Sequence, residues 1–217
     1  MNYILDIVLP RLLTGLDVTL KLLAVIIPLC LLVGIVIGVG RVFGPRVISH
    51  ILGGYVFLCR GIPLIVWLLI LFFVITRFGI YVSSFWAAAI GFILVGSAYE
   101  SEYVRGAIRS IGEDQFIAAQ SLGMSKFQCV VHIILPQALR IALPGLTNDL
   151  TYTIRDTSMS YVVGLMEIFG IAKSLNALSG RAIEIFLTAA FFYQILVAIL
   201  TIISKIVEKK IEIPIER

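Results

Sequence analysis

Charge is what this sequence has least of. Asp, Glu, Lys and Arg make up 14% of its 217 residues, against about 25% in an ordinary globular domain. With 60% hydrophobic residues and a mean hydropathy of +1.07, a water-soluble fold is excluded. Metal-ligand spacing is missing too. Cys30, Cys59 and Cys129 form no Cys-x-x-Cys pair and His50 and His132 stand far apart, so no metal centre and no cofactor is expected. No glycine is followed by lysine, which rules out a phosphate-cradling P-loop within the chain. Nor is there a Ser/Lys, Ser/His or H-E-x-x-H arrangement at membrane depth, as an intramembrane enzyme would need. The N-terminus has no basic opening, carries Asp6 and Asp17, and runs on too long to read as a secretory signal peptide.

What the chain has is long uncharged runs: Leu22 to Gly40, Gly61 to Thr76, Phe78 to Tyr99 and Ile185 to Ser204. A helix rises 1.5 Å per residue, so roughly 20 such residues cross a bilayer. A further span is expected from Val130 to Tyr152, apolar but interrupted by Arg140, Asp149, Pro136 and Pro144. Backbone and charge of that kind are tolerated in lipid only when wrapped by other helices or lining a cavity. The expectation is an all-α polytopic membrane protein, a single membrane domain with about five transmembrane helices. The spans are placed at about 14–40, 55–76, 80–102, 131–154 and 183–205, after an outer interfacial segment over 1–13.

The basic residues orient it. With the N-terminus outside, Arg41, Arg46, Arg105, Arg109, Lys126, Lys205, Lys209, Lys210 and Arg217 share one side. Arg11, Arg77, Arg155, Lys173 and Arg181 share the other. The positive-inside rule makes the first side cytoplasmic, in a cell membrane crossed several times. The net charge of +4 is thus a statement about topology, and nucleic acid is not an expected partner.

The longest inside connection, about 109–130, is half polar. Glu113 and Asp114 suit the positive end of a helix dipole, and Phe116, Ala119 and Leu122 recur near helical spacing. Gly123 can end that helix and Ser125 can cap a second one beginning at Lys126. Two readings fit such a hairpin: an amphipathic helix resting on the membrane surface, or a docking element whose small Ala118 and Ala119 let another protein come close.

At these residues the chain resembles the permease subunits of type I ATP-binding-cassette importers. Their inside loop reads E-A-A, then glycine after three residues, then I-x-L-P after nine more. Here Ala118-Ala119, Gly123, Ile133 and Leu135-Pro136 match, and Ile117 stands where the glutamate is usual. Further segments are similar to the polar and charged amino-acid branch: "LLTGLDVTLKL", "RGIPLIVWL", "SAYESEYVRGAIRSI", "LPQALRIALPGLTNDL" and "RDTSMSYVVGL", in order from about Thr14 to Leu165. The resemblance implies a coupling hairpin (Gln115, Ile117, Ala118, Ala119, Leu122, Gly123 and Met124) docking on a separate ATP-binding-cassette ATPase. It also implies a second permease copy or homologue, an extracytoplasmic solute-binding protein and an amino-acid substrate. ATP hydrolysis would then belong to the partner, not to this chain.

For the substrate, Asp149 is the strongest candidate, because a charge at bilayer depth costs about 2.5–3.5 kcal/mol and is functional by default. Importers of the resembling branch have an acidic residue just after this asparagine position, in the central cavity. Asn148 and Thr151 are candidates for hydrogen bonds to a carboxylate or amide. The structural alternative pairs Asp149 with Arg140 or another helix. Arg60 reads as a snorkelling arginine, Arg155 to Ser158 as a structural gate element, and Glu100, Glu102, Arg105 and Arg109 as salt-bridging residues. An ion-coupled secondary transporter would show inverted repeats and more spans, and neither is evident. A membrane scaffold subunit is the other rival, with Asp149 the feature against it.

Overall fold

The computed structural model describes residues 3–211, and among them every regular element is helical. Met1 and Asn2 of the expected interfacial segment, and Arg217 of the basic group, lie outside the described residues. The helices are α1 (Ile4–Phe43), α2 (Arg46–Gly61), α3 (Leu64–Arg77), α4 (Ser84–Ser110), α5 (Glu113–Ser121), α6 (Lys126–Val163), α7 (Ile168–Ser179) and α8 (Ala182–Ile211). No break separates an N-terminal segment from the first span: α1 runs through both.

By length and composition α1, α6 and α8 can each cross a membrane, and α2 with α3 can do so as a pair bent by 99°. A single helix over 55–76 is therefore not what forms. Pro63 has no backbone donor and disfavours helical backbone in the residue before it. Ile62 is accordingly extended, with φ −106° and ψ 129°, and the chain turns there. The remaining expected span, 80–102, overlaps α4, which begins at Ser84 and is not among the helices apolar enough to qualify. Its polar residues Ser97, Glu100 and Ser101 are all buried; α4 is an inner helix whose polarity faces protein.

The bundle is apolar outside and partly polar inside. Leu32 and Val36 on α1, Phe57 on α2, and Leu187 and Phe191 on α8 are exposed. Thr19, Ser97, Glu100 and Glu167 are enclosed. That distribution suits a hydrocarbon surround, where each interior polar group needs a partner within the protein.

Close packing of α1 on α4 depends on missing side chains. A Cβ on Gly38 would lie 2.9 Å from Val104 Cβ and 3.0 Å from the Ser101 carbonyl oxygen; one on Gly34 would lie 2.8 Å from Glu100 Cβ. The small-xxx-small spacing of Gly34 and Gly38 thus sets the helix separation, as in membrane helix pairs generally. At the other end of α1, Thr19 donates to the Gly15 carbonyl (3.0 Å) and accepts from the Ile168 amide (3.3 Å) at the start of α7. Glu167 caps α7 through the Gly170 amide (2.7 Å) and accepts from the Tyr193 hydroxyl of α8. A buried carboxylate is thereby satisfied while three helices are joined.

Inside α6, Ala138, Ala142, Leu146, Leu150 and Ile154 recur every four residues and are buried, a stripe turned toward α4 and α8. Pro136 falls just after a π-helical turn over Cys129–Ile134, where its lack of a donor is accommodated.

Candidate functional site

Two features stand out: a hairpin at one end of the bundle and a charged cavity between α2, α3, α4 and α6. The hairpin is built by strong local signals. Gly112, with φ +72°, leads into α5, whose first turn carries Glu113 and Asp114. At the far end the Gly123 amide bonds to the Gln120 carbonyl (2.9 Å) and the Met124 amide to the Ala119 carbonyl (3.3 Å). That is the double closure of a Schellman ending, with Gly123 at φ +83°. Ser125 then opens α6 with a reciprocal capping box to Gln128 (3.3 and 2.8 Å).

The structure divides the seven hairpin candidates. Gln115, Ile117, Ala118, Leu122 and Gly123 are exposed, Met124 is half-buried and Ala119 is buried. Ala119 therefore faces the bundle, and the apolar surface presented outward is made by Ile117, Leu122 and Phe127. Gln115 accepts from the Gln137 side chain (3.3 Å). Lys126 Nζ donates to the Phe43 carbonyl at the end of α1 (2.9 Å), and Phe116 stacks on Phe43 with centroids 5.7 Å apart. The hairpin is clamped to α1 as well as continuous with α6, so a push on it reaches two long helices.

The cavity, about 540 Å³, opens where α2 turns into α3. Asp149 lines it, together with Arg60, Asp156 and Tyr99. Asn148 and Thr151 do not: Asn148 is exposed on another face of α6, and the Thr151 hydroxyl donates to the Asn148 carbonyl (2.7 Å). The reason is helical spacing. Neighbours in sequence lie about 100° apart around the axis, so those sharing the face of Asp149 are Tyr152, Thr153 and Asp156. Asp149 makes no ion pair with Arg140 or any other residue among those described.

Arg60 and Asp156 are the charged lining residues that sequence reasoning passed over. Arg60, exposed in the last turn of α2, reaches the cavity; its guanidinium lies 4.8 Å above the Tyr99 ring and 3.9 Å from Glu102. Glu102 is already held by Arg105 (2.6 Å) and by Arg41 from α1. Arg109 forms no ion pair among the described residues. Glu100 takes no part in this cluster. Both its oxygens are buried without a hydrogen-bond partner among the described residues, and it packs against Gly34. At Thr157 α6 tightens into a 3-10 stretch, Thr157–Val163, and the Thr157 hydroxyl donates to the Ile154 carbonyl (2.7 Å). A signal for Asp156 existed in the sequence, seven residues after Asp149, and one for Arg60 in the Gly61-x-Pro63 break beside it.

Comparison with known proteins agrees with this architecture. Residues 30–213 match the family described as binding-protein-dependent transport system inner membrane component. The chain is 32% identical to the arginine transport system permease protein ArtQ of Bacillus subtilis (strain 168), over 94% of this chain and 93% of that one. It is 30% identical to the glutamine transport system permease protein GlnP of Escherichia coli (strain K12), over 94% of each. Among solved structures, a crystal structure of an amino acid ABC transporter with histidines superposes with a TM-score of 0.83 at 26% identity, covering 93% of this chain and 94% of the other.

Proposed function

The chain belongs to the family of binding-protein-dependent transport system inner membrane components, and from that premise we propose that it is the permease subunit of an ATP-driven amino-acid importer. Two copies, or one copy and a homologue, face each other across the translocation pathway. Each docks one ATP-binding-cassette ATPase subunit through the α5 hairpin, and a solute-binding protein delivers cargo from outside. The N-terminus lies outside and the C-terminus in the cytoplasm, following the distribution of Lys and Arg. The spans are those expected from the sequence, with 55–76 replaced by the bent α2–α3 pair.

The hairpin is the observation that carries the reading. A hairpin exposing Ile117, Leu122 and Phe127, while tied to α1 and α6, has the form of an element that receives a partner and passes its motion inward. Gln115, Ala118, Gly123 and Met124 complete the docking surface, and Ala119 supports it from within. ATP binding favours one state of the pathway because the ATPase pair engages the two hairpins differently in each. In the cavity Asp149 is the residue that meets substrate.

The test is transport in reconstituted vesicles holding the permease, its ATPase and its binding protein. Leu122→Arg should leave insertion and folding intact while reducing ATP-dependent uptake at least tenfold and weakening ATPase co-purification. Uptake by the purified chain with no nucleotide-hydrolysing companion would overturn the assignment.

A further inference from the structure

We infer that a second cavity, between the α5 hairpin and the inner ends of α1, α4 and α6, is an effector site for an α-amino acid with an apolar side chain. Arg109 and Lys126 hold its carboxylate and Glu113 its ammonium group. The binding site stands on geometry alone; its effect on ATP hydrolysis rests on the importer reading above.

The walls supply the first argument. The cavity holds about 530 Å³, within the usual range for small ligands, about 300–1,000 Å³. Val42 and Phe43 reach it from α1, Ile108 from α4, Phe116 from α5 and Ile134 from α6, so four helices meet around it. Phe43 and Phe116 stack on each other, and Ile108 and Ile134 are buried. A mostly apolar wall bearing a few charged groups is the usual form of a small-molecule site.

Charge is the second. Arg109, Glu113 and Lys126 are the charged residues among the described lining. Arg109 and Glu113 are four residues apart, a spacing at which opposite charges pair on a continuous helix. Gly112 lies between them at φ +72° and ψ 152° and turns the chain, so α4 and α5 are separate helices and the pair does not form. Neither side chain makes an ion pair or a hydrogen bond among the described residues. Lys126 donates to the Phe43 carbonyl (2.9 Å) and has two further donors. Two cations and a carboxylate beside an apolar wall match a zwitterion whose remaining substituent is hydrocarbon. A purely apolar occupant leaves all three charges unanswered, and a purely anionic one meets Glu113 without a counter-charge.

Position gives the site its consequence. An occupant touches α1, α4, α5 and α6 at once, stiffening the junction through which the hairpin moves the long helices. Ile117 belongs both to the cavity wall and to the outward apolar surface, so the occupant is felt where the ATPase docks. A ligand that favours one arrangement of the hairpin slows a cycle that needs two. The effector is therefore an inhibitor acting from the cytoplasmic side.

Direct binding to the permease–ATPase complex in nanodiscs tests this. The probes are L-leucine, glycine, isoamylamine (leucine without its carboxylate) and isocaproate (leucine without its ammonium group). The wild type should bind L-leucine about tenfold more tightly than each of the other three. Arg109→Gln should bring L-leucine close to isoamylamine, and Arg109→Lys should restore most of the difference. Glu113→Gln should bring L-leucine close to isocaproate. Asp149→Asn, in the membrane cavity, should leave L-leucine affinity as in the wild type. L-leucine should also lower the ATP hydrolysis stimulated by the binding protein by about half in the wild type, and leave it unchanged in Arg109→Gln. No L-leucine binding by the wild type, or affinity untouched by both Arg109→Gln and Glu113→Gln, refutes the site while the importer stands. Binding lost in Asp149→Asn places L-leucine in the membrane cavity instead and refutes it equally. Hydrolysis unaffected by bound L-leucine removes the effector role. A complex whose hydrolysis ignores its binding protein overturns the importer reading, while the four affinities still decide the site.

Discussion

Replacing Gly38 by alanine adds one methyl group where α1 and α4 leave no room for it. The new carbon would lie 2.9 Å from Val104 Cβ and Cγ1 and 3.0 Å from the Ser101 carbonyl oxygen. Ordinary carbon contacts lie at about 3.5–4.0 Å, so the helices must part by roughly half an ångström. The Ser101 carbonyl belongs to the helix backbone and cannot rotate aside. Overpacking of this kind costs about 1–3 kcal/mol. Against it stands the gain of removing a glycine from a helix interior, about 0.5–1 kcal/mol. The net change at Gly38 is thus a destabilisation of up to about 2.5 kcal/mol. Gly53 on α2 supplies the internal control, since a Cβ there meets nothing within 4 Å, and Gly53→Ala should stabilise by about 0.5–1 kcal/mol. The two variants should therefore separate by about 1–3 kcal/mol in opposite directions from wild type. Unfolding of the purified protein in nanodiscs, followed by the fluorescence of its two tryptophans, reads the difference. Equal stabilities for Gly38→Ala and Gly53→Ala would refute the packing argument.

Three other outcomes follow from the geometry. Ser125→Ala removes the capping box and should loosen the start of α6 by about 1 kcal/mol, seen as faster hydrogen exchange at the Gln128 amide with little change in global unfolding. Ala119→Arg and Leu122→Arg should differ in kind: Ala119 is buried and Leu122 exposed, so the first should melt the hairpin in circular dichroism and protease sensitivity while the second preserves it. Tyr193→Phe takes one donor from the buried Glu167 carboxylate and should cost about 1–3 kcal/mol in thermal unfolding; a neutral result would mean that Glu167 finds water in its place.

The hairpin was readable from sequence nearly to the residue because its determinants are local. Acidic residues in a first turn, a glycine at positive φ and a serine cap each act on backbone within a few residues of their own position. What the sequence reading missed there was direction: Ala118 and Ala119 look alike in a motif, yet one faces out and the other in. In the cavity the miss was larger. Asn148 and Thr151 were grouped with Asp149 by proximity in sequence, while the helix places them on other faces and brings Asp156 round instead. Glu100 and Glu102 were read as one charged group, yet two residues apart on a helix point to nearly opposite sides. One meets Arg41 and Arg105; the other is sealed against Gly34.

Composition and periodicity by themselves determined that this chain is helical, that it suits a bilayer, and where its hairpin begins and ends, because burial preference and helix capping are properties of short stretches. Only the tertiary structure decided that the second span breaks at Pro63, that Arg60 and Asp149 line one cavity, and that α4 keeps its polar residues inside. Those outcomes depend on which helix faces meet, and contacts between residues dozens of positions apart leave no local trace in the sequence.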